Sequence, residues 1–413
     1  MADEEKKAPE LRFKGFLDDW EQRKFEEMLD KNDGVRRGPF GSSLKKEIFV
    51  ENSDYVVYEQ QNAIYDNYKT RYNISKEKFD ELHKFSLKEN DFIMSGAGTI
   101  GRISRVPKGI KPGVFNQALI RFRINSELTS PEYFLQFIRA ENMQRKLTGA
   151  NPGSAITNLV PMTEVKNWDI FVPAKAEQSK LGAFFNQLDN TIALHQQKQR
   201  QIRSLKQGFI KNLFPNNKNS APRIRFSIFN DDWNQRNASE IFTSVSDKNY
   251  PELPVLSASQ EKGMVLRESN GIDIKYDQKS TGTYKRVLPG QFVMHLRSFQ
   301  GGFAYSTIEG ITSPAYTILA FRNKEDHYPL FWKSIFSSKN FIKRLEAITY
   351  GIRDGRSISY ADFSTLRFWI PSYEEQKQIG DFIESIDATI AFYQRQIDMM
   401  QSLKKELLNK MFI

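Results

Sequence analysis

PAKAEQSKLGAFFNQLDNTIALHQQKQRQIRSLKQGFIKNLF, Pro173 to Phe214, comes back 198 residues later as PSYEEQKQIGDFIESIDATIAFYQRQIDMMQSLKKELLNKMF, Pro371 to Phe412, with no gap. Pro173, Glu177, Gln178, Gly182, Phe184, Asp189, Thr191, Ile192, Ala193, Leu205, Lys206 and Phe214 each meet an identical partner. Neither stretch has an internal proline, and apolar residues step by four and three through both. In the first they are Leu181, Phe185, Leu188, Ile192 and Ile202, with His195, Gln199 and Lys206 at wetter positions of the same stripe. In the second they are Ile379, Ile383, Ile386, Ile390 and Ile397, with Lys404 in register with Lys206. Such a heptad stripe predicts two long helices, each roughly 57 Å at 1.5 Å per residue. A helix of that length with one apolar face needs a partner, and the nearest candidate is the other copy in an antiparallel pair, the alternative being two independent surface helices, each on its own domain. Ser372 and Glu375 read as a capping box at the second start; Ala174 and Glu177 make a weaker one.

The repeat extends beyond the helices. RFKGFLDDWEQR, Arg12 to Arg23, recurs 213 residues later as RFSIFNDDWNQR, Arg225 to Arg236. Between these anchors the halves diverge, although Phe92, Met94 and Gly101 align with Phe292, Met294 and Gly301. The expected organisation is an N-terminal domain over 1–172, a helix over 173–214, a polar linker over 215–222, a second domain over 223–370 and a final helix over 371–413. The fold class is α+β with an internal pseudo-twofold repeat. Two copies of one frame with different middles suit recognition of two different things at a fixed separation.

SGAGTIGR, Ser95 to Arg102, contains the Gly-x-Gly-x-x-Gly spacing of dinucleotide sites at Gly96, Gly98 and Gly101. That fingerprint requires a helix after it and an acidic residue about 20 positions on. Here RISRVPKGIKPG follows, alternating and proline-bearing, which reads as a strand and a turn. In the second half, Leu296 and Ser298 stand where Gly96 and Gly98 do. The expectation is a glycine-rich hairpin.

Composition narrows the function classes. The 413 residues carry 60 Lys and Arg against 50 Asp and Glu, a net charge of +10 that suits a polyanionic partner. There is no cysteine, hence no disulfide or thiolate metal site. His83, His195, His295 and His327 lie far apart without metal-ligand spacing. No Gly-x4-Gly-Lys-Ser/Thr loop is present. No apolar run is long enough for a membrane span, and MADEEKKAPE is not a signal peptide, so a cytoplasmic location without membrane partners is expected.

Taken in this order, the Pro-x3-Glu-Gln helices, the DDW starts at Trp20 and Trp233, RRGPFGSSLKKE (Arg36–Glu47) and GRSISYADFSTLRFWIP (Gly355–Pro371) resemble the specificity subunit of type I restriction-modification systems over nearly the whole chain. The resemblance implies two target recognition domains, mixed α/β and β-rich, each reading half of a bipartite site on double-stranded DNA. It makes the helices an antiparallel coiled-coil spacer and a docking surface for two methyltransferase subunits. Those subunits carry S-adenosylmethionine, and motor-nuclease subunits carry ATP and Mg; by the same resemblance this chain binds no cofactor and has no catalytic residue. Consistently, the nearest approach to the Asn/Asp-Pro-Pro-aromatic loop of amino-methyltransferases is NPGS, Asn151 to Ser154, which lacks the second proline and the aromatic. The alternative is a stand-alone sequence-specific DNA-binding protein unrelated to restriction.

Direct readout calls for Arg, Lys, Asn and Gln at base edges, and phosphate contacts for Arg, Lys and Ser. The first domain offers Arg36, Arg37, Ser42, Ser43, Lys45 and Lys46 in a glycine-rich basic turn. Gln60, Gln61 and Asn62 are candidate base readers, with Arg102 and Arg105 on the hairpin. The second offers His295, Arg297, Ser298 and Gln300 in the matching hairpin, and Tyr350, Arg353 and Arg356 in TYGIRDGRS. YFLQFI, Tyr133 to Ile138, is expected to be core.

Overall fold

The structure, a computed structural model, describes residues 7–40, 43–149, 160–215, 220–259, 262–270, 278–294, 303–348 and 358–413. The chain forms two compact units, Met1–His195 with Gln396–Ile413, and Gln196–Arg395. Two helices of 39 residues run through both units, Lys175–Leu213 (the central helix) and Tyr373–Met411 (the C-terminal helix). Each unit therefore contains the start of one helix and the end of the other.

In the first unit, a four-stranded antiparallel sheet has the order Val35–Arg37, Leu119–Phe122, Phe92–Ser95, Ile103–Arg105. A second sheet has the order Phe49–Val50, Tyr72–Ile74, Tyr55–Tyr58, Gly113–Phe115, the last pair parallel. A short ladder of Glu21–Lys24 on Asp169–Val172 ties the beginning of the unit to the residues just before the central helix. Tyr133, Phe134, Phe137 and Ile138 of the expected core stretch are buried against Phe25, Phe92 and Phe122.

The second unit keeps this frame. Phe242–Val245, Thr317–Phe321, Phe292–Met294 and Ala304–Tyr305 form its four-stranded sheet, over an aromatic core of Phe242, Phe292, Trp332, Phe336 and Phe363. In place of the second sheet are two two-stranded ladders, Leu256–Ser259 with Gly263–Leu266 and Lys285–Val287 with Gly310–Thr312, joined by a single parallel bridge between Val255 and Ile311. The tying ladder recurs as Asn234–Asn237 on Arg367–Ile370. Its first pair, Asn234 with Ile370, is the first-unit pair Glu21 with Val172 moved by 213 and 198 residues, the two offsets of the sequence repeat.

The repeated motifs are the joints of the frame. Arg12 donates from Nε and Nη2 to both oxygens of Glu177, at 2.8 and 2.7 Å; Arg225 does the same to Glu375, at 2.8 Å each. Both glutamates are buried, and the fork geometry is the one in which an arginine holds a desolvated carboxylate well. Glu375 also accepts the indole N–H of Trp233 at 3.2 Å. The capping-box expectation is half right: Ser372 Oγ accepts the Glu375 N–H at 3.3 Å, but the carboxylate turns inward to Arg225 instead of back to the cap.

The adjacent glutamine is a splint. Gln178 accepts from the Ser130 N–H at 2.9 Å and donates to the carbonyls of Leu128 and Pro173, both at 3.0 Å. Gln376 repeats the set on Tyr328, Asp326 and Pro371. Each thereby ties its long helix to the start of a domain helix, Pro131–Arg139 or Pro329–Phe336.

Both long-helix stripes face inward. Leu181, Phe185 and Ile192, and Ile379, Ile383, Ile390 and Ile397, are buried; Leu188, Ile202 and Ile386 are half-buried. Within the first unit Phe185 packs on Phe412, whose ring also lies 5.5 Å from that of Tyr133. Within the second, Phe209 packs on Phe382, and Phe214 lies 5.5 Å from Phe331. In both units the contacts run antiparallel, as the stripe predicts.

Candidate nucleic-acid interface

Strand order brings several loops of the first unit to one place. Register sets Arg37 beside Ile120, Ser95 beside Leu119, and Tyr58 beside Phe115, so these strand ends share an edge. Backbone hydrogen bonds then lace the loops together. The Gly38 N–H donates to the Leu119 carbonyl at 3.0 Å, Gly96 to Ala118 at 2.8 Å, and Asn116 to Tyr58 at 2.9 Å. Gly38 is required here, because a Cβ would lie 1.9 Å from the Asn116 carbonyl oxygen.

The glycine-rich stretch is the hairpin that its sequence predicts, joining Phe92–Ser95 to the antiparallel Ile103–Arg105. Gly98 and Gly101 have φ of +64° and +80°, where side chains are strained. Gly101 also lies under Gln144, which donates to its carbonyl at 3.0 Å. The Ser95 hydroxyl accepts from the Arg102 N–H at 3.0 Å and donates to the Thr99 carbonyl, which closes the turn. No helix follows the loop, so it lacks the N-terminus on which a pyrophosphate would sit.

The first-unit candidates divide. Arg37, Lys45, Lys46 and Arg102 are exposed, and among the described residues none is in an ion pair. Ser43 is half-buried, its N–H held by the Phe40 carbonyl at 2.9 Å. Arg36 is engaged by Asp33 at 2.8 and 3.1 Å, in a network that also contains Arg121, Arg123 and Asp91. Burial pushes the Asp33 carboxyl up, but hydrogen bonds from Arg121 and Arg36 outweigh it and hold the pKa at about 2. Arg105 is tied to Glu132 and Asn90, which makes it a brace between the hairpin and the helix Pro131–Arg139.

Asn62 is a correction. It is fully buried, its amide oxygen accepts from the Glu59 N–H at 2.6 Å, and its nitrogen donates to the Asn67 and Lys69 carbonyls. With every polar atom engaged it has nothing to offer a base, and it closes the loop after the helix Gln60–Tyr65 instead. Gln60 donates to the Ala97 carbonyl at 2.5 Å and joins that helix to the hairpin. Gln61 makes a long contact of 3.5 Å with Glu59. Ser42, His295, Arg297, Ser298, Gln300, Tyr350, Arg353 and Arg356 lie outside the described residues.

Sequence reading passed over the turn Asn116–Ala118. It sits between two apolar strands in GVFNQALIRF, where a polar pair was the only signal, and its place beside Gly38 and Gly96 comes from pairing across the fold.

Residues 18–204 match the family model of the type I restriction modification DNA specificity domain. That match takes in somewhat less than half of the chain, which over this stretch is similar to the DNA specificity domain of type I restriction-modification systems. The likeness of fold runs over both halves: the S subunit of a type I restriction-modification system from M. genitalium aligns with a TM-score of 0.59 at 14% identity, over 98% of this chain and 99% of that one. A chain from a structure of type I restriction-modification complex assembly and conformational transition gives 0.54 at 16%, over 95% and 97%. No curated protein matches. The stretch similar to a DNA specificity domain contains the laced loops of the first unit, which present exposed cations suited to a phosphate backbone. Among the described residues, no helix is long and apolar enough to cross a membrane.

Proposed function

We propose that this chain is the specificity subunit of a type I restriction-modification system, that it reads a bipartite site on double-stranded DNA, one part with each unit, and that its paired helices set the spacing and dock two methyltransferase subunits. On this reading the chain performs no chemistry and binds no cofactor. Methyl transfer from S-adenosylmethionine belongs to the methyltransferase subunits, ATP-driven translocation and cleavage to motor-nuclease subunits, and the assembly works in the cytoplasm. The observation that carries it is the duplicated frame around unlike middles. The Arg–Glu fork, the glutamine splint and the tying ladder are built twice, while the first unit inserts one four-stranded sheet where the second has two two-stranded ladders linked by a single bridge. A frame kept and a reading surface changed is the pattern expected of two heads for two sequences. The test is adenine-methylation mapping of the host genome with and without the gene. A methylated split motif that disappears on deletion supports the proposal; a map that does not change overturns it.

A further inference from the structure

We propose that Gln117 is a base-reading residue of the first unit, presenting its carboxamide to an adenine edge in the major groove. The inference rests on the bipartite-site reading and adds the contact that gives one half its sequence preference.

Few amides at the laced edge are free to read a base. Asn62 is buried and saturated, and Gln60 is held by Ala97. Asn116 spends its side-chain oxygen on the Ala118 N–H at 3.1 Å. Gln117 is exposed, and among the described residues no hydrogen bond engages its side chain. A carboxamide in that state keeps a donor and an acceptor side by side, the pair that matches N7 and N6 of adenine.

A reading side chain needs a backbone that stays in place. The Asn116–Ala118 turn is fixed on four sides: Asn116 N–H on Tyr58, the Gly96 N–H on the Ala118 carbonyl, Leu119 N–H on Asn116 at 3.1 Å, and the backbone of Gly38 packed against the 116–117 peptide. The three partner loops come from both sheets of the unit. Gln117 thus stands on a braced turn, and Arg37, paired near it with Ile120, and Arg102, backbone-bonded to Ser95, are exposed cations of the kind that takes phosphates.

The experiment uses the chain assembled with its methyltransferase subunits, comparing wild type with Gln117→Ala and the near-isosteric Gln117→Glu. Methylated sites are mapped by sequencing, and binding is measured to duplexes substituted one base pair at a time. The expected result is a loss of about tenfold to hundredfold in discrimination at one A·T position of one half-site, with the other half-site unchanged. Retained discrimination in Gln117→Ala overturns the inference and leaves the bipartite reading standing. So does an equal weakening on every sequence, which is the signature of a phosphate contact. A wild-type assembly that methylates no split site overturns both. Urea unfolding of each variant separates misfolding from lost readout, and Gln117→Glu supplies a folded variant if Gln117→Ala is unstable.

Discussion

Nζ of Lys404, near the end of the C-terminal helix, donates to Oδ1 of Asp189 in the central helix at 2.6 Å, and the second unit repeats the pair with the helices exchanged, Lys206 on Asp387 at 2.5 Å. The lysines and aspartates are related by the same 198-residue offset, so one pair of residues is used twice by an approximate twofold relation within the sequence. Burial lowers the Lys404 pKa, and the charge of Asp189 opposes that shift. Both partners are shielded enough for the interaction to exceed a surface ion pair. A double-mutant cycle of Lys404→Met and Asp189→Asn should give a coupling energy of about 1–3 kcal/mol in urea unfolding. A value near zero would show that the pair is decoration on an apolar seam.

The Arg–Glu forks should matter more. Glu177 and Glu375 are each 1% exposed, with arginine partners at 15% and 19%. Removing one carboxylate leaves a guanidinium desolvated and unpaired, which costs about 3–5 kcal/mol. Glu177→Ala and Glu375→Ala should each lower stability by that order. Arg12→Met with Glu177→Met should recover much of the loss, since it leaves no buried charge behind. Urea unfolding of the singles and the double checks this.

If the helices set the spacing, length is the variable. One heptad is about 10 Å of helix, close to three base pairs at about 3.4 Å each. Deleting seven residues from each helix, Ala193 to Gln199 in one and the equivalent Ala391 to Ile397 in the other, should shorten the gap in the methylated motif by about three base pairs. The two half-site sequences should stay the same. Methylation mapping of the variant decides, and an unchanged gap removes the helices from the role of spacer.

His327 gives a pH signature in the second unit. It is 5% exposed, stacked on Phe321 and edge-on to Trp332, and burial lowers its pKa to about 4. The folded state then resists protonation while the unfolded chain titrates near 6.5. Between those values the unfolded state binds more protons, so stability is full above about 6.5 and falls as pH drops toward 4, by roughly 2–3 kcal/mol. Urea midpoints measured across that window should show the slope in wild type and a flatter dependence in His327→Phe. An equal slope in the variant would assign the effect to other groups.

What the sequence disclosed follows from the range of the interactions involved. The long helices were legible because periodicity is local: the stripe from Leu181 to Phe209 predicts which side faces inward, and the exposed residues between confirm it. The hairpin at Ser95–Arg102 was legible because Pro107 and the alternation after Gly101 exclude a helix. The repeated Glu-Gln was visible as a motif but not as a joint, since Arg12 lies 165 residues from Glu177 and Arg225 lies 150 from Glu375. The interface was least legible. Asn62, in the short helix Gln60–Tyr65, and Gln117, in a turn, are both polar amides, and only packing against distant strands buries the first and leaves the second exposed.

Two glycines in the central helix separate packing from propensity. In an open helix, glycine to alanine stabilises by about 0.8–1.0 kcal/mol, through lost freedom of the unfolded chain. Gly208 has nothing within 4 Å of an added Cβ, and Gly208→Ala should gain that amount. Gly182 faces the helix Pro131–Arg139, where a Cβ would sit 2.6 Å from Cβ of Glu132 and 2.7 Å from the Tyr133 nitrogen. Gly380 makes the same approach to Phe331, 2.8 Å from its nitrogen. These obstacles are mostly backbone, so a helix must shift, and overpacking of that kind costs about 1–3 kcal/mol against a gain of about 1. Gly182→Ala and Gly380→Ala should therefore destabilise while Gly208→Ala stabilises. Urea midpoints of the three variants give the signs directly. Equal stabilisation by all three would mean that the long helices do not approach their domain helices this closely.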